Sequence, residues 1–511
     1  MRHTPLFTQH IAQGASVINL KGVARPMEYV GHVAEHKATR EAVTLCDVSH
    51  MGELVFTGSD SEALLSRIIV GNPAKLSPGK VMYSALCDDH GFVMDDLVLM
   101  RLEENRWLMV VNVTMIEKDY QWIISHNDFK DAVVKNISTD MALMALQGPF
   151  SRETLQIVCE ADLSQMEYYS CVETHIATIE GGVVPCVVSR TGYTGEIGFE
   201  ICCERQYAPF IWRRLMTVGR PFGIMGHGVA ARESLRTEAG LLLNGNDMDG
   251  RATPYEAGLG WLVDMGHDFI GKEALQKAKE AGPSRKMVGL VLKGRPTMRN
   301  GYKIYLGDEQ VGTVTSGPIS PELAGASLGL GYVRPEVSAP GQLLEVEIFG
   351  ERFPVTVAKL PFRERHAKMV PPVTTLSPFG LSFIDEMIWC KQISPREWII
   401  GLTEYAVNQL GECLYYKPGA PGNYPAHSPL AWADSYRMAW PMQLPVAADI
   451  LSVRADVVEK PLLLNRYPYR QDGLMTVHFE ALPPLMEFNA YLAKVTNLSG
   501  YAVWSKAKRT V

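Results

Sequence analysis

The sequence lacks the spacings that mark metal and disulfide sites. Its nine cysteines form no C-x-x-C pair, and the adjacent Cys202 and Cys203 should point to opposite faces of one strand. None of the thirteen histidines stands in an H-E-x-x-H spacing. We therefore expect no metal site and no disulfide framework. Reduced, mostly buried thiols in a cytoplasmic protein explain the cysteines better.

Long runs of one kind of residue are also missing. The chain has a formal net charge of -7 and no cluster of lysine and arginine, so nucleic acid is not expected as a partner. No stretch of about 20 apolar residues occurs, so no membrane-spanning helix is expected. The first residues show no apolar segment of a signal peptide, which again favours a cytoplasmic location.

With 511 residues, the chain exceeds what one hydrophobic core usually serves, so several domains are expected. Helices are predicted over 28–45, over 59–70 with Ser59 as N-cap, over 114–126 and near 228–240. Strands are predicted over 82–87, 93–101 and 107–113, and short strands from 287 to 358 suggest a small barrel or sandwich. A linker is expected at 366–378, then a compact unit over 379–511 that ends in a helix within 485–508.

The run Asp95-Asp96-Leu97-Val98-Leu99-Met100 is the first candidate for chemistry. Alternate residues of a strand share a face, so Asp96 goes with Val98 and Met100, and Asp95 lies on the other face. Whichever face is buried, one carboxylate then stands among apolar side chains, where it needs a partner or a shifted pKa. The alternative is an aspartate at a strand start whose carboxylate accepts hydrogen bonds from turn amides.

A glycine-rich segment, residues 189–200, precedes a second candidate carboxylate, Glu200. Its glycines would let the backbone approach a flat group, and Tyr193 could stack on it, although a hairpin turn is the simpler interpretation. The pattern is not G-x-G-x-x-G between strand and helix, so a dinucleotide site is rejected. Arg232 and Arg236 share one helix face and suit either an anion or a solvated helix surface.

Several of these strings resemble the glycine-cleavage T-protein (aminomethyltransferase) family, over about residues 1–362 and in the family's order. The matching strings are Thr4-Pro5-Leu6, Asp47 to Glu53, Tyr83-Ser84, Asp95 to Val98, Met109 to Asn112, Gln147-Gly148-Pro149, Ser189 to Glu200 and Asn246 to Asp249. The resemblance implies an α+β fold: a three-domain folate-binding cloverleaf with a small β-barrel as third domain. The implied domains are 1–50 with 140–280, then 51–139, then 285–365.

The resemblance also implies roles for single residues. Asp96 matches the carboxylate near the reactive folate nitrogens and is the catalytic candidate. Glu200 matches the acidic residue that binds the pterin, and Arg232 matches an arginine on the ligand side of its helix. The remaining residues implied near the folate are Met51, Tyr83, Val98, Met100, Asn112 and Tyr193. Tetrahydrofolate is the implied cosubstrate.

The chain departs from the family pattern in two places. Near the start, where the family usually has an aromatic residue followed by Gly-Trp, this chain has Lys21-Gly22-Val23. Arg363 stands where many members have a tyrosine near the ligand. These departures bear on carrier recognition and on the amine donor more than on folate binding.

Residues 396–477 resemble the glycine-cleavage H-protein, the lipoyl carrier of the same system, so 379–511 is expected to be a β-rich, lipoyl-type domain. The matches are Trp398, Gly401 to Ala406, Leu410 to Glu412, Pro461 to Asn465 and Pro468-Tyr469. At the lipoylated lysine of the family stands Arg437, whose guanidinium is not nucleophilic. No lysine lies between Lys417 and Lys460. We expect no lipoate on this domain, which would be a docked cap or an imitation of a true carrier.

The function implied is transfer of the aminomethyl carbon from a separate lipoylated H-protein to tetrahydrofolate, with release of ammonia. One alternative is a folate-dependent demethylase of a small N-methyl compound. Another is a folate-binding regulatory protein without catalysis.

Overall fold

The computed structural model describes residues 1–178, 182–294, 296–323, 325–369, 380–410, 413–435, 439–466, 469 and 472–498. Up to residue 281, the chain contains both strands and helices. The strands are β1 (Arg2–His3), β2 (Ser16–Leu20), β3 (Val23–Glu28), β4 (Thr44–Asp47), β5 (Gly52–Thr57), β6 (Val81–Cys87), β7 (Val93–Glu103), β8 (Arg106–Val111), β9 (Val133–Asn136), β10 (Met141–Gln147), β11 (Cys171–Thr178), β12 (Gly182–Ser189), β13 (Gly198–Glu204) and β14 (Met225–Gly226). The helices are α1 (Phe7–Ala12), α2 (His32–Glu41), α3 (Ser61–Ile68), α4 (Ile116–Ser125), α5 (Ser151–Gln156), α6 (Ala208–Val218), α7 (Val229–Glu238) and α8 (Lys272–Ala281).

Two sheets dominate this part: the first is mixed, because β14 pairs with β4 in parallel, and the second is antiparallel throughout. The first sheet has the strand order β11-β12-β13-β10-β4-β14, and the second sheet has the order β6-β7-β8-β5-β9. An apolar cluster between them takes side chains from both sheets: Cys46, Val48, Val81, Met100, Leu108, Val110, Leu143, Ala145, Cys171 and Cys202. We call this cluster the central layer. Helices cover the outer face of each sheet, with α5 and α6 on the first and α3 and α4 on the second.

The third unit is a closed barrel with the order β15-β18-β17-β16-β19-β20. The spacing of short strands had left a barrel or a sandwich open, and the family resemblance implied the barrel. Its strands are β15 (Lys286–Leu292), β16 (Lys303–Leu306), β17 (Glu309–Ser316), β18 (Ser327–Val333), β19 (Leu343–Ile348) and β20 (Glu351–Ala358). Inward-facing residues alternate along them and build a separate core, for example Leu344, Val346 and Ile348 of β19.

The C-terminal unit is β-rich, with its own core. Its strands are β21 (Ser382–Phe383), β22 (Ile388–Gln392), β23 (Glu397–Leu402), β24 (Cys413–Pro418), β25 (Gly422–Tyr424), β26 (Pro429–Ser435), β27 (Ala439–Gln443), β28 (Ala448–Val453) and β29 (Met475–Phe479). Its helices are α9 (Glu404–Leu410), α10 (Ala455–Glu459), α11 (Leu463–Arg466) and α12 (Phe488–Leu498). They surround two sheets, ordered β21-β22-β23-β29-β28-β25 and β24-β26-β27.

The C-terminal unit packs against the outer side of the first sheet. Leu381, Phe383, Trp389, Tyr469, Phe488 and Tyr491 belong to the same apolar cluster as Trp212 and Leu215 of α6. A buried ion pair lies beside this cluster, in which Arg214 Nη1 donates to Glu404 Oε1 at 2.6 Å and Nη2 donates to Oε2. The C-terminal unit is therefore attached to the face that points away from the central layer.

Several predicted bounds were too wide. The helix predicted over 28–45 is only His32–Glu41, because strands β3 and β4 take the residues on both sides. The helix predicted from Ser59 begins at Ser61, after Asp60, and the Ser59 hydroxyl instead donates to Asp131 at 2.8 Å. The terminal helix is Phe488–Leu498, and residues 499–508 lie outside the described part.

The expected linker 366–378 is described only to residue 369. That described portion is held on the first sheet, because Arg190 donates to the carbonyl of Met369 at 2.6 Å. Residues 370–378 lie outside the described part.

Candidate functional site

The side chains predicted to bind a ligand converge on the central layer. Val98 and Met100 of β7 and the nearby Met51 all pack in it. Asp96 is on the same face of β7 as Val98 and Met100, and Glu200 is on the same face of β13 as Cys202. The two candidate carboxylates therefore come from opposite sheets and face one shared apolar region.

Asp96 is held by two side chains. The Tyr83 hydroxyl donates to Asp96 Oδ2 at 2.9 Å, and Asn112 Nδ2 donates to Asp96 Oδ1 at 2.9 Å. These donors are not turn amides, so the simpler alternative does not describe this residue. Burial and the neighbouring charge of Asp95 raise the pKa of Asp96 to about 7, although both donors oppose that rise. Such a carboxylate can hold or release a proton near neutral pH.

A second carboxyl pair lies on the other face of β7. Asp95 accepts the backbone N–H of Asn112 at 3.0 Å and its Nδ2 at 2.8 Å. Asp119 of α4 is fully buried, and its carboxyl group lies beside that of Asp95. Burial raises the pKa of both groups, and the charge of Asp119 raises that of Asp95 further. Asn112 thus ties this pair to Asp96.

Tyr83 also touches an aromatic residue that the sequence analysis missed. The ring of Trp261 lies 6.1 Å from the ring of Tyr83, centroid to centroid, and Trp261 is 70% exposed. A large exposed aromatic beside a buried polar cluster is typical of the rim of a binding site. The sequence signal was weak, a tryptophan directly after Gly260.

Glu200 receives a hydrogen bond from the Thr191 hydroxyl at 2.5 Å on Oε2. Its Oε1 has no hydrogen-bond partner among the described residues. The glycines before it serve packing: a Cβ at Gly192 or Gly198 would lie 2.0–2.6 Å from the amide group of Gln147. The flat group that these glycines approach is therefore a side chain of the protein itself.

The two arginines of α7 have different surroundings. Arg232 stacks over the ring of Tyr193 at 4.6 Å, and the Tyr193 hydroxyl donates to the carbonyl of Leu242. Arg236 is fully buried, donates to Asp247 at 2.6 Å and pairs with Glu233. Arg236 is thus bound within the protein. Arg232 has no carboxylate partner among the described residues.

Arg363 is also bound within the protein. Its Nη1 donates to Glu196 Oε1 at 2.6 Å, and Arg40 donates to the same oxygen at 2.9 Å. In this structure Arg363 links the end of the barrel to the first sheet. Arg437 lies outside the described residues, as do its neighbours 436 and 438, between the antiparallel strands β26 and β27.

Two kinds of feature are not found in the described residues. They contain no group of three or more His, Cys, Asp or Glu side chains arranged to hold a metal ion. Across the same ranges, no helix has the length and apolar character needed to cross a membrane.

Comparisons with known proteins divide the chain into three matched regions. The GCVT N-terminal domain family matches residues 6–267, the glycine cleavage T-protein C-terminal barrel domain matches 285–363, and the glycine cleavage H-protein family matches 381–497. An aminomethyltransferase of Halothermothrix orenii is 41% identical over 363 residues, which are 71% of this chain and 100% of the relative. One of Thermotoga maritima is 41% identical over 362 residues, 71% of this chain and 98% of the relative.

A solved structure, the glycine cleavage system aminomethyltransferase T from Bartonella henselae, is similar with a TM-score of 0.66 and 30% identity. It covers 71% of this chain and 98% of that protein.

Proposed function

The chain belongs to the glycine cleavage T-protein family, and on that basis we propose that it moves an aminomethyl carbon from a lipoylated carrier protein to tetrahydrofolate, releasing ammonia. It is an aminomethyltransferase of the glycine cleavage system type. One observation carries the assignment of its site: Asp96, held by Tyr83 and Asn112, faces the central layer.

The described residues fit tetrahydrofolate. A reduced pterin has an N–H-rich edge and two planar faces. Glu200 keeps one carboxylate oxygen without a partner, which suits that edge. Met51, Val98 and Met100 supply apolar surface for the ring faces. Together these groups support a pterin in the central layer, with Asp96 and Glu200 contributed by opposite sheets.

When bound, tetrahydrofolate would supply two nitrogens that bond to the aminomethyl carbon, while the bonds from that carbon to ammonia and to the sulfur of the carrier break and the carrier leaves as a thiol. Asp96 is placed for the proton of the attacking nitrogen. Asp96 as a carboxylate accepts the proton that this nitrogen loses, and its pKa of about 7 allows it to pass the proton on as ammonia leaves. Asn112 and Tyr83 fix both of its oxygens, so the acceptor is oriented before the reaction.

The position of the C-terminal unit favours catalysis over a purely regulatory role. This unit packs on the outer face of the first sheet, through α6, while Asp96 and Glu200 face the opposite side. The described part of the unit therefore leaves the central layer free for a separate carrier. A demethylase of a small N-methyl compound would use the same folate groups and differs only in the donor.

The decisive experiment is a turnover assay with tetrahydrofolate and separately prepared aminomethyl-lipoyl H-protein, following methylene-tetrahydrofolate and ammonia. We expect both products to appear together and to depend on the carrier. Folate binding without turnover on this carrier, but with turnover on an N-methyl amine, would replace the proposal by the demethylase. Folate binding with turnover on neither donor would leave the regulatory alternative.

Changing Tyr83 to Phe is expected to move the pH dependence of turnover. The Tyr83 hydroxyl lowers the pKa of Asp96, so its loss raises that pKa, and the active carboxylate then forms only at higher pH. In the wild type, kcat/KM should fall as pH drops through about 7. In Tyr83→Phe the fall should begin at higher pH, with turnover at neutral pH roughly 10-fold lower, as for loss of a hydrogen bond to a charged group. Tyr305→Phe on the barrel is the control, and an unshifted profile contradicts the assignment.

The C-terminal domain is expected to stay without lipoate. Arg437 replaces the modified lysine, and no lysine occurs between Lys417 and Lys460. We expect intact-mass spectrometry after co-expression with a lipoylating enzyme to show the unmodified mass, while a true H-protein in the same cells gains the lipoyl mass. A lipoyl mass on a peptide from residues 379–511 would overturn this prediction.

A further inference from the structure

Asp119 is a buried acid of helix α4, on the opposite side of β7 from the central layer. Its side chain has no exposed surface, and its carboxyl group lies beside that of Asp95, which is equally buried. Asp95 shares its face of β7 with Leu97 and Leu99, which belong to the apolar cluster between the second sheet and its helices. Two adjacent carboxyl groups that are closed off from water cannot both be charged, so one proton stays between them at neutral pH.

The charges around Asp119 leave that proton in place. The charged groups that act on Asp119 are Asp95 and Asp96 of β7 and Lys118 of α4 itself. Lys118 is exposed, so its ammonium group is solvated and does not take the place of the shared proton. Burial holds the pKa of Asp95 well above its usual value, and the charge of Asp119 raises it further. The neighbouring elements β5, β8 and α3 contribute apolar side chains to the cluster: Leu54, Phe56, Leu64, Leu65, Ile68, Trp107, Met109 and Val111.

Asn112 connects this pair of acids to Asp96. Its backbone N–H donates to Asp95 Oδ2 at 3.0 Å, and its Nδ2 donates to Asp95 Oδ1 at 2.8 Å. The same Nδ2 is 2.9 Å from Asp96 Oδ1 and 3.0 Å from the carbonyl oxygen of Asp96. A side-chain amide has two N–H groups for these three acceptors, so its orientation depends on all of them. If Asp95 moved away from Asn112, the hydrogen bond to the Asp96 carboxylate would lose its fixed direction.

A purely structural role explains the buried acids poorly. A buried carboxyl group is less favourable in an apolar cluster than an apolar side chain of similar size, because it gives up its hydration. Leucine at position 119 would therefore suit the surrounding cluster better than aspartate does. Acids that occupy such a place beside a carboxylate that handles a proton are typical of a functional site.

We propose that Asp119 is a positioning residue for the transfer reaction. The proton that it shares with Asp95 holds the Asp95 carboxyl group against Asn112, and Asn112 in turn holds the Asp96 carboxylate in the direction of the ligand. Asp119 itself makes no contact with the substrate. The inference rests on the proposed function of Asp96 and adds the group that maintains its orientation.

Loss of the shared proton at high pH should disturb this arrangement. Asp95 and Asp119 would then both be charged and repel each other, so Asp95 would leave Asn112 and kcat would fall. The side chain introduced by Asp119→Asn still donates to Asp95 but has no acidic proton to lose. We therefore expect the kcat of the wild type to fall at alkaline pH and that of Asp119→Asn to stay level there.

Asp119→Leu removes the donor and fills the same space with apolar atoms. Its kcat should fall about 10-fold, as for loss of a hydrogen bond to a charged group, with a smaller change in the KM for tetrahydrofolate. Asp119→Asn should retain most of the kcat that Asp119→Leu loses. The control is Glu117→Gln, on the exposed side of the same helix, which should follow the wild type at every pH. The measurement is turnover of the full chain with tetrahydrofolate and aminomethyl-lipoyl H-protein, from neutral to alkaline pH.

The proposal is overturned if folded Asp119→Leu turns over like the wild type, or if Asp119→Asn shows the same alkaline fall as the wild type. Should Asp119→Leu not fold, the pH profile of Asp119→Asn decides. Failure of the proposed function is distinguishable, because the wild type would then not turn over with the carrier. The shared proton is tested without turnover: the wild type should show a strongly downfield-shifted proton resonance that is missing from Asp119→Asn, and its absence from the wild type would contradict the proposal.

Discussion

Replacing Asp96 with asparagine is expected to lower turnover by about 10²–10⁴-fold, the usual contribution of a positioned general acid or base. Asparagine keeps the size of the side chain and can still accept the hydrogen bond from Tyr83, so the site should keep its shape. What is lost is the negative charge and the ability to take a proton with a pKa of about 7. The measurement is formation of methylene-tetrahydrofolate and ammonia, alongside calorimetric titration of tetrahydrofolate.

The matched control is Asp89→Asn, an exposed aspartate in the turn between β6 and β7. It should turn over like the wild type. Tetrahydrofolate affinity should change little in Asp96→Asn if the carboxylate acts mainly in the reaction. Full activity in Asp96→Asn would remove this residue from the mechanism, whereas a joint loss of affinity and activity would make it a binding residue.

Replacing Glu404 with alanine is expected to destabilise the folded chain by about 3–5 kcal/mol, because it leaves the charge of Arg214 buried without its partner. The side chains of Arg214 and Glu404 are 7% and 12% exposed and form a bidentate ion pair. This pair lies at the edge of the apolar cluster that joins α6 to the C-terminal unit. The measurement is the free energy of unfolding of the full chain in urea. The first unfolding transition of Glu404→Ala should have its midpoint at a lower urea concentration than that of the wild type, because the C-terminal unit loses part of its attachment.

Two comparisons make this prediction specific. The double variant Arg214→Met with Glu404→Leu should recover most of the stability, because an apolar pair can replace a buried ion pair. Glu309→Ala, which breaks the exposed pair with Arg334, should change stability by less than about 1 kcal/mol. An effect of Glu404→Ala as small as that of Glu309→Ala would mean that the interface does not depend on this ion pair.

Features that repeat every few residues along the chain, such as strand faces, could be predicted from the sequence. The six barrel strands followed from short apolar runs between turns, although the runs alone did not distinguish the closed barrel from a sandwich. Alternation along β13 correctly separated Cys202, in the central layer, from Cys203, in the outer cluster. The resemblance to the T-protein and H-protein families rested on short strings and agrees with the family matches.

Features that depend on residues distant in sequence were not readable in this way. Alternation put Asp95 and Asp96 on opposite faces of β7, but it could not say that the first sheet covers the Asp96 face or that Asp119 lies beneath Asp95. The sequence also could not show that Arg363, which stands where many family members have a tyrosine, forms an ion pair with Glu196.

There is a physical reason why some features could be predicted from the sequence and others could not. Strand faces, turns and helix starts depend on interactions within a few residues, so a single segment contains the information. The partner of a buried charge is chosen by packing between segments far apart in the chain, as with Arg214 and Glu404. Among the described residues, the same packing leaves Arg232 stacked on the Tyr193 ring without a carboxylate partner, and this depends on how α7 is placed against residues far away in the chain.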